Sequence, residues 1–290
     1  MRLAPGRVSV IDLQGVVHWL NEKTGLNVDT IGIGALQGAV KHRMAELGIL
    51  DSKAYFEVWE ARTEERDLLL GRVLVGETWF FREEPAFIVL KEWLEGLHQK
   101  WRPGRPLRIL VLPCSTGEEA WSVASIVHAC GISPESVDIE AMDINADALK
   151  VAALGRYPLR KARKRPMPVN LGFLVNDDLE IDPELKRLVR FECANVLDRD
   201  AFRTKPAYDV IFLRNLLIYM DEKARSRIFD LVSELLLERG LLFLGHSEVP
   251  PANGVWARLP ARGAFAWQRR ASAEIASDKP FSHVRPPGGT

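Results

Sequence analysis

The sequence is poor in cysteine, has no long apolar run, and carries no excess of charge of either sign. Three cysteines, Cys114, Cys130 and Cys193, stand apart without metal-ligand spacing. So sparse and odd a set provides no cysteine metal site and points to a reducing compartment. No uninterrupted apolar stretch approaches the about 20 residues that a membrane-spanning helix requires. The start, "MRLAPGRVSVIDLQGVVHWL", is interrupted by Asp12, Gln14 and His18, which makes it a poor secretion signal. Acids and bases balance at 39 each, so no global field draws the chain to nucleic acid or membrane. The expectation is a cytoplasmic, soluble chain, whose 290 residues suffice for a full core and for more than one domain.

Residues 10–75 hold apolar positions at helical spacing and no strand pattern, which predicts a small helical bundle. "IDLQGVVHWLNEKTG" stops near Gly25, "IGALQGAVKHRMAELGI" at Gly48, and "DSKAYFEVWEARTEERDLLLGRVL" opens on an Asp/Ser cap. A turn and a long amphipathic helix follow, and "RPGRP" at 102–106 interrupts the chain. From residue 107 the texture changes to short apolar runs: "LRILVL", "VDIEAM", "VRFEC", "YDVIFLR" and "GLLFLGH". Helical segments at 118–130, 145–154 and 221–239 separate several of them. That alternation predicts an α/β fold, a mostly parallel sheet with helices on both faces. "VWARLPARGAFAWQRR" reads as a closing β-hairpin, residues 155–190 as an insertion, and the last twenty residues as a polar tail.

The first apolar run leads into Pro113-Cys114-Ser115-Thr116-Gly117 and then a helix pattern. This has the form of a phosphate loop without its lysine. It offers Glu118 and Glu119 instead, and no G-x-x-x-x-G-K-[ST] is present, which argues against a triphosphate. Gly117 is expected to let a ligand approach the backbone. Carboxylates at this place suit a ligand with a positive centre or hydroxyls to donate. Asp143 ends the second run, a little beyond the about 20 residues expected for an acid that takes ribose hydroxyls. NAD would want the full G-x-G-x-x-G, which is missing. An adenosine ligand with a cation and no pyrophosphate fits S-adenosylmethionine.

"ETWFFRE", "CSTGEEAWSVA", "MDINADALKVAALGRY", "RNLLIYMD" and "GLLFLGHSE" occur in this order. Together they resemble the CheR-type chemotaxis receptor methyltransferases over about residues 30–270, and within them the variants from non-chemotactic signalling arrays. The resemblance implies a class I S-adenosylmethionine methyltransferase sheet of Rossmann-like form. It implies an N-terminal helical domain over 1–75, the methyltransferase domain over 76–270 with a small inserted β-subdomain at 155–190, and a flexible tail over 271–290. The implied reaction is methyl transfer to glutamates on the cytoplasmic helices of chemoreceptors, giving γ-methyl esters and S-adenosylhomocysteine. The enzyme would act as a monomer, with no nucleic acid partner and no membrane insertion.

For single positions the resemblance implies that Thr78 and Arg82 line the cofactor, with Arg82 on its carboxylate. Glu118 would reach the methionyl ammonium, Asp143 the ribose, and Asn195 and Val196 the adenine edge. Arg214 and Asn215 would close the site, and Tyr219 would sit near the sulfonium. The residues also admit plainer roles. Thr78 and Arg82 can cap and pair the following helix, Asp143 can cap the next one, Asn195 can be a turn residue, and Tyr219 can be core. Glu119 fits a helix's first turn. "GHSE" at 245–248 reads as a strand end, since a hydrolase would need G-x-S-x-G. Pro113 departs from the family's glycine and removes an N–H, so altered or weaker cofactor binding is expected there. Two basic clusters could meet acidic receptor helices: Lys41-His42-Arg43, and Arg156, Arg160, Lys161, Arg163, Lys164 and Arg165 on the insertion.

Competing readings are a methyltransferase for another substrate and a catalytically weak CheR-like adaptor of a signalling array. "RNLLIY" stands where amino-methylating DNA enzymes carry [DN]-P-P-[YF], which with zero net charge argues against nucleic acid.

Overall fold

A computed structural model describes residues 13–74, 76–97, 105–162 and 169–277. The first part is helical: α1 (Gln14–Thr24), α2 (Val28–Ile31), α3 (Ile33–Glu46), α4 (Ser52–Ala61) and α5 (Thr63–Val73). α1 stops at Gly25, whose φ of 68° is left-handed. A Cβ there would lie 2.4 Å from Ala224 Cβ, so close packing also demands glycine. Asp51 caps α4 by accepting from the Ala54 N–H at 2.9 Å. The stretch 51–74, which the periodicity joins, is two helices broken at Arg62 (φ −123°, ψ 116°). Glu65, in the first turn of α5, accepts from Arg43 Nη2 at 2.6 Å and from the Tyr55 hydroxyl at 3.0 Å. The break lets α5 reach both α3 and α4.

α6 (Pro85–Leu97) leads to the sheet region, which holds α7 (Glu118–Ala129), α8 (Ala146–Leu154), α9 (Pro183–Lys186), α10 (Glu222–Leu235) and α11 (Ser272–Ser277). Its strands are β1 (Leu107–Val111), β2 (Val137–Asp143), β3 (Arg156–Pro158), β4 (Gly172–Val175), β5 (Asp178–Ile181), β6 (Val189–Cys193), β7 (Tyr208–Leu213), β8 (Leu236–Leu244), β9 (Trp256–Arg258) and β10 (Ala266–Arg269). The main sheet runs β6-β2-β1-β7-β8-β10-β9. Its first five strands are parallel, and β10 lies antiparallel between β8 and β9. β3, β5 and β4 form a separate antiparallel sheet, the inserted subdomain.

Successive residues of a strand face opposite sides. Ile109, Val111, Phe212 and Phe243 therefore meet α6 and α7, with Phe87, Phe212 and Phe243 stacked at centroid spacings of 5.8 and 4.4 Å. Leu110, Leu112, Met142, Ile211 and Leu242 face the other way, into a core shared with α10 and the N-terminal helices. The helical region is thus packed on one sheet face. Because β1 sits between β2 and β7, the chain leaves it at the point where the strand order reverses, which opens a crevice above the strand ends.

Two expectations change. The helix expected over 221–239 ends at Leu235, because Leu236 already pairs with Tyr208 across the sheet. The expected tail begins with α11, whose Glu274 accepts from the Ala271 N–H at 3.1 Å and pairs with Arg239. Among the described residues, no helix is long and apolar enough to cross a membrane.

Candidate functional site

The loop after β1 is held by backbone contacts to β2. The Cys114 N–H donates to Met142 O at 2.8 Å, and the Gly117 N–H to Cys114 O at 2.9 Å. Ser115 takes a left-handed φ of 48°, which points its N–H at Asp143 Oδ2, 2.7 Å away. Asp143 Oδ1 accepts from the Asn145 N–H at 2.8 Å. The helix-capping role open to Asp143 belongs instead to Asn145, which accepts from the Asp147 and Ala148 N–H groups. Asp143 is 5% exposed. Burial pushes its carboxyl above the usual aspartate range, and the N–H groups of Asn145 and Ser115 pull it part of the way back.

Gly117 serves packing and not ligand approach. A Cβ there would meet Ala152 Cβ at 2.7 Å and the Tyr157 hydroxyl at 3.0 Å, and its φ is 92°. Tyr157 donates to Thr116 O at 2.6 Å and accepts from Trp121 Nε1 at 2.9 Å, tying the inserted subdomain to the loop. Gly117→Ala should lose about 2 kcal/mol of stability, from overpacking and left-handed backbone strain together. Urea unfolding measures it, and a loss near zero would contradict this account.

A cavity opens above Ser115, Asp143 and Ile144. Asn215, Leu216 and Tyr219 wall one side, and Leu26, Ile31 and Val73 of the helical region roof it. An apolar slot continues from it past Pro113 to Val196 and Met220. The roof is pinned by main chain. The Asn27 N–H donates to Tyr219 O at 2.8 Å and the Asp221 N–H to Gly25 O at 3.0 Å. Asn195 also lines the slot, but its amide donates to Lys23 O at 2.6 Å and accepts from the Leu197 N–H. Its side chain is engaged in holding α1.

Thr78 and Arg82 lie on the half-buried loop before α6. Arg82 stacks over Trp79 at 4.6 Å and donates one N–H to Glu77 O at 2.8 Å. Its other N–H groups have no partner among the described residues and remain available to an anion. Arg214 is already engaged. Buried at the end of β7, it pairs with Glu119 and with Glu83 at 2.9 Å and donates to Arg82 O at 2.7 Å. Asn215 has a left-handed φ of 57°, and Glu248 holds its N–H at 2.9 Å. The fully buried Glu118 accepts from the Thr116 hydroxyl at 2.6 Å and pairs with Lys161 of the subdomain.

Sequence reasoning missed Glu83, Lys161 and Glu248 as partners, and it gave Glu119 only a helix-dipole role. "GHSE" lies in a turn past β8, where Glu248 gathers the N–H groups of Gly245, Asn215, Leu217 and Ile218. Of the first basic cluster, Arg43 is buried against Glu65 and is not a docking charge. Of the second, Arg156 pairs with Asp178 and Lys161 with Glu118, while Arg163, Lys164 and Arg165 lie outside the described residues.

Residues 76–261 match the family described as CheR methyltransferase, SAM binding domain. The chain belongs to the CheR methyltransferase family. Among its relatives, the probable biofilm formation methyltransferase WspC of Pseudomonas aeruginosa is 33% identical over 235 residues, covering 79% of this chain and 55% of that protein. Chemotaxis protein methyltransferase 2 of the same organism is 31% identical over 244 residues, 82% of this chain and 86% of the relative. The chemotaxis protein methyltransferase of Salmonella typhimurium is 30% identical over 215 residues, covering 71% and 72%. The chain spans little more than half the length of the WspC relatives.

The CheR cofactor, S-adenosylmethionine, fits the residues present. An apolar slot suits adenine, and Asp143 retains acceptor capacity beyond its two N–H donors. Tyr219 borders the cavity, and Arg82 offers free donors on the adjoining loop. Among the described residues, no group of three or more His, Cys, Asp or Glu could hold a metal ion.

Proposed function

We propose that the chain transfers a methyl group from S-adenosylmethionine to glutamate carboxylates on the cytoplasmic helices of chemoreceptor-like proteins. The observation that carries this reading is the buried Asp143 at the tip of β2, beneath an apolar cavity at the strand-order reversal of a CheR chain. Asp143 would hold the ribose hydroxyls, Val196 the adenine edge, Glu118 the ammonium and Arg82 the carboxylate. Thr78, Asn195, Arg214 and Asn215 would keep the site in shape, and Tyr219 would border the sulfonium.

When bound, the cofactor supplies a methyl group on a cationic sulfur with a good leaving group. A glutamate carboxylate is ionised at neutral pH, its reference pKa being about 4.3, so no general base is required. The chain's own task is to exclude water and to hold the incoming carboxylate in line, at about 3–3.5 Å. Charge is neutralised as the bond forms, and an apolar enclosure favours that. The roof of Leu26, Ile31 and Val73, with the wall at Tyr219, provides it.

The test is transfer of labelled methyl to receptor glutamates as base-labile esters, with calorimetry of S-adenosylhomocysteine binding. Binding without transfer to any receptor would favour the adaptor reading, and no binding would defeat the proposal. Asp143→Asn should weaken S-adenosylhomocysteine by about 10–100-fold, the value of hydrogen bonds to a charged acceptor. Because burial raises the Asp143 carboxyl, affinity should fall with acidification at a pH above the usual aspartate value of about 3.9. Calorimetry across that range should show the decline in the wild type and lose it in Asp143→Asn. The sign for stability is opposite: a raised carboxyl binds protons more readily when folded, so this group's contribution improves as pH falls.

A further inference from the structure

We propose that Lys161 is an internal counter-ion to Glu118, which the ammonium of the cofactor displaces on binding. The inference rests on the reading above, in which Glu118 receives that ammonium. Glu118 is fully buried at the first residue of α7. A buried carboxylate needs a cation or strong donors in every state of the protein. One of its oxygens takes the Thr116 hydroxyl and the other takes Lys161 Nζ.

The two neighbouring glutamates differ in what holds their cations. Arg214, the partner of Glu119, has a side chain 1% exposed and is locked by Glu83 and Arg82 O as well. Lys161 has a side chain 28% exposed and stands on a single 3-10 turn, Leu159–Ala162. Among the described residues, its one other hydrogen-bond partner is Thr116 Oγ1 at 3.3 Å. Four residues earlier, Tyr157 anchors β3 to Thr116 O and Trp121 independently. Lys161 can therefore swing away while the strand beneath it stays in place. Two cations at one buried carboxylate oxygen would repel, so the ammonium exchanges with Lys161 and does not add to it. Released, Lys161 joins Arg160 at the surface of the subdomain. By reciprocity, any partner that draws Lys161 outward tightens the hold on the cofactor.

The experiment compares two ligands by calorimetry. S-adenosylhomocysteine carries the amino-acid portion, and methylthioadenosine keeps the nucleoside and thioether without an ammonium. Lys161→Met should bind S-adenosylhomocysteine about 10-fold more tightly than the wild type and leave methylthioadenosine within about twofold. Lys161→Arg, which keeps a cation, should bind S-adenosylhomocysteine no more tightly than the wild type. Unchanged or weaker binding of S-adenosylhomocysteine by Lys161→Met, or a parallel change in both ligands, would overturn the exchange. A measurement on the wild type needs no variant. The acylation rate of the Lys161 amine, followed by mass spectrometry, should rise on saturation with S-adenosylhomocysteine and not with methylthioadenosine. Protection would overturn the proposal. If the wild type bound neither ligand, the proposed function itself would fall. Loss of the selectivity change alone would remove only the exchange.

Discussion

Arg214→Met should destabilise the protein by about 3–5 kcal/mol, the loss expected when one partner of a buried ion pair is removed. Arg214 as a whole residue is 3% exposed, and its guanidinium joins three segments: Glu119 of α7, Glu83 and Arg82 O of the loop before α6, and its own position after β7. Burial works against the charge of Arg214, but Glu119 and Glu83 outweigh it. Methionine restores the volume and removes the cation, leaving Glu119 interior and unpaired. At about 2–4 °C per kcal/mol for a chain of this size, the melting temperature should drop by roughly 6–20 °C. Burial already pushes the Glu119 carboxyl upward, with Arg214 opposing. Without Arg214 it moves further up. A carboxyl raised in the folded state contributes most below its unfolded value, about 4.3, and loses that as pH climbs to the folded value. The deficit of the variant should therefore shrink on acidification. Urea unfolding at about pH 8 and about pH 5 tests this. A loss below about 1 kcal/mol, or a deficit that grows in acid, would contradict the account.

Glu248→Ala should cost about 3–4 kcal/mol and distort the cavity wall as well. Its carboxylate collects four backbone donors, at 2.7 Å from Gly245, 2.9 Å from Asn215, 2.7 Å from Leu217 and 3.3 Å from Ile218. Hydrogen bonds to a charged acceptor contribute about 1.5–3 kcal/mol each, and their sum is not additive. Alanine leaves the donors without an acceptor where Glu248 itself is 3% exposed. Glutamine keeps the shape but turns an NH2 toward donors, so it should restore under half of the loss. Asn215, Leu216 and Tyr219 belong to the segment so held and line the cavity. S-adenosylhomocysteine affinity should fall together with stability in both variants. Unfolding and calorimetry measured on the same preparations check this, and intact affinity in a destabilised variant would separate clamp from cavity.

The sheet was legible because β1, β2, β7 and the second half of β8 are mostly buried on both faces and read as continuous apolar runs, and because β2 ends on Asp143. The loop was legible in form, since a turn between strand and helix has a local signature in Pro113–Gly117. What escaped was the pairing of charges distant in sequence. Glu119 meets Arg214 95 residues away, and Glu248 meets Asn215 33 residues away. Nothing in the spacing of "GEE" or "GHSE" encodes such contacts. Arg43 looked like part of a surface cluster because its partner Glu65 lies on another helix. The break at Arg62 left no trace in the periodicity, since it carries neither proline nor glycine. Asn195, expected at the adenine edge, lines the slot, but its amide turns to Lys23 O, 172 residues away.

The main-chain bridge between Gly25–Asn27 and Tyr219–Asp221 joins segments far apart in the chain. During synthesis, the ribosome will have released the roof and the floor of the cavity long before the wall that closes them. Until Leu216 and Tyr219 have been made, the cavity roofed by Leu26 and Ile31 lacks its wall. The cavity is therefore completed late, only once the segment around Tyr219 has folded back onto the helices made long before it.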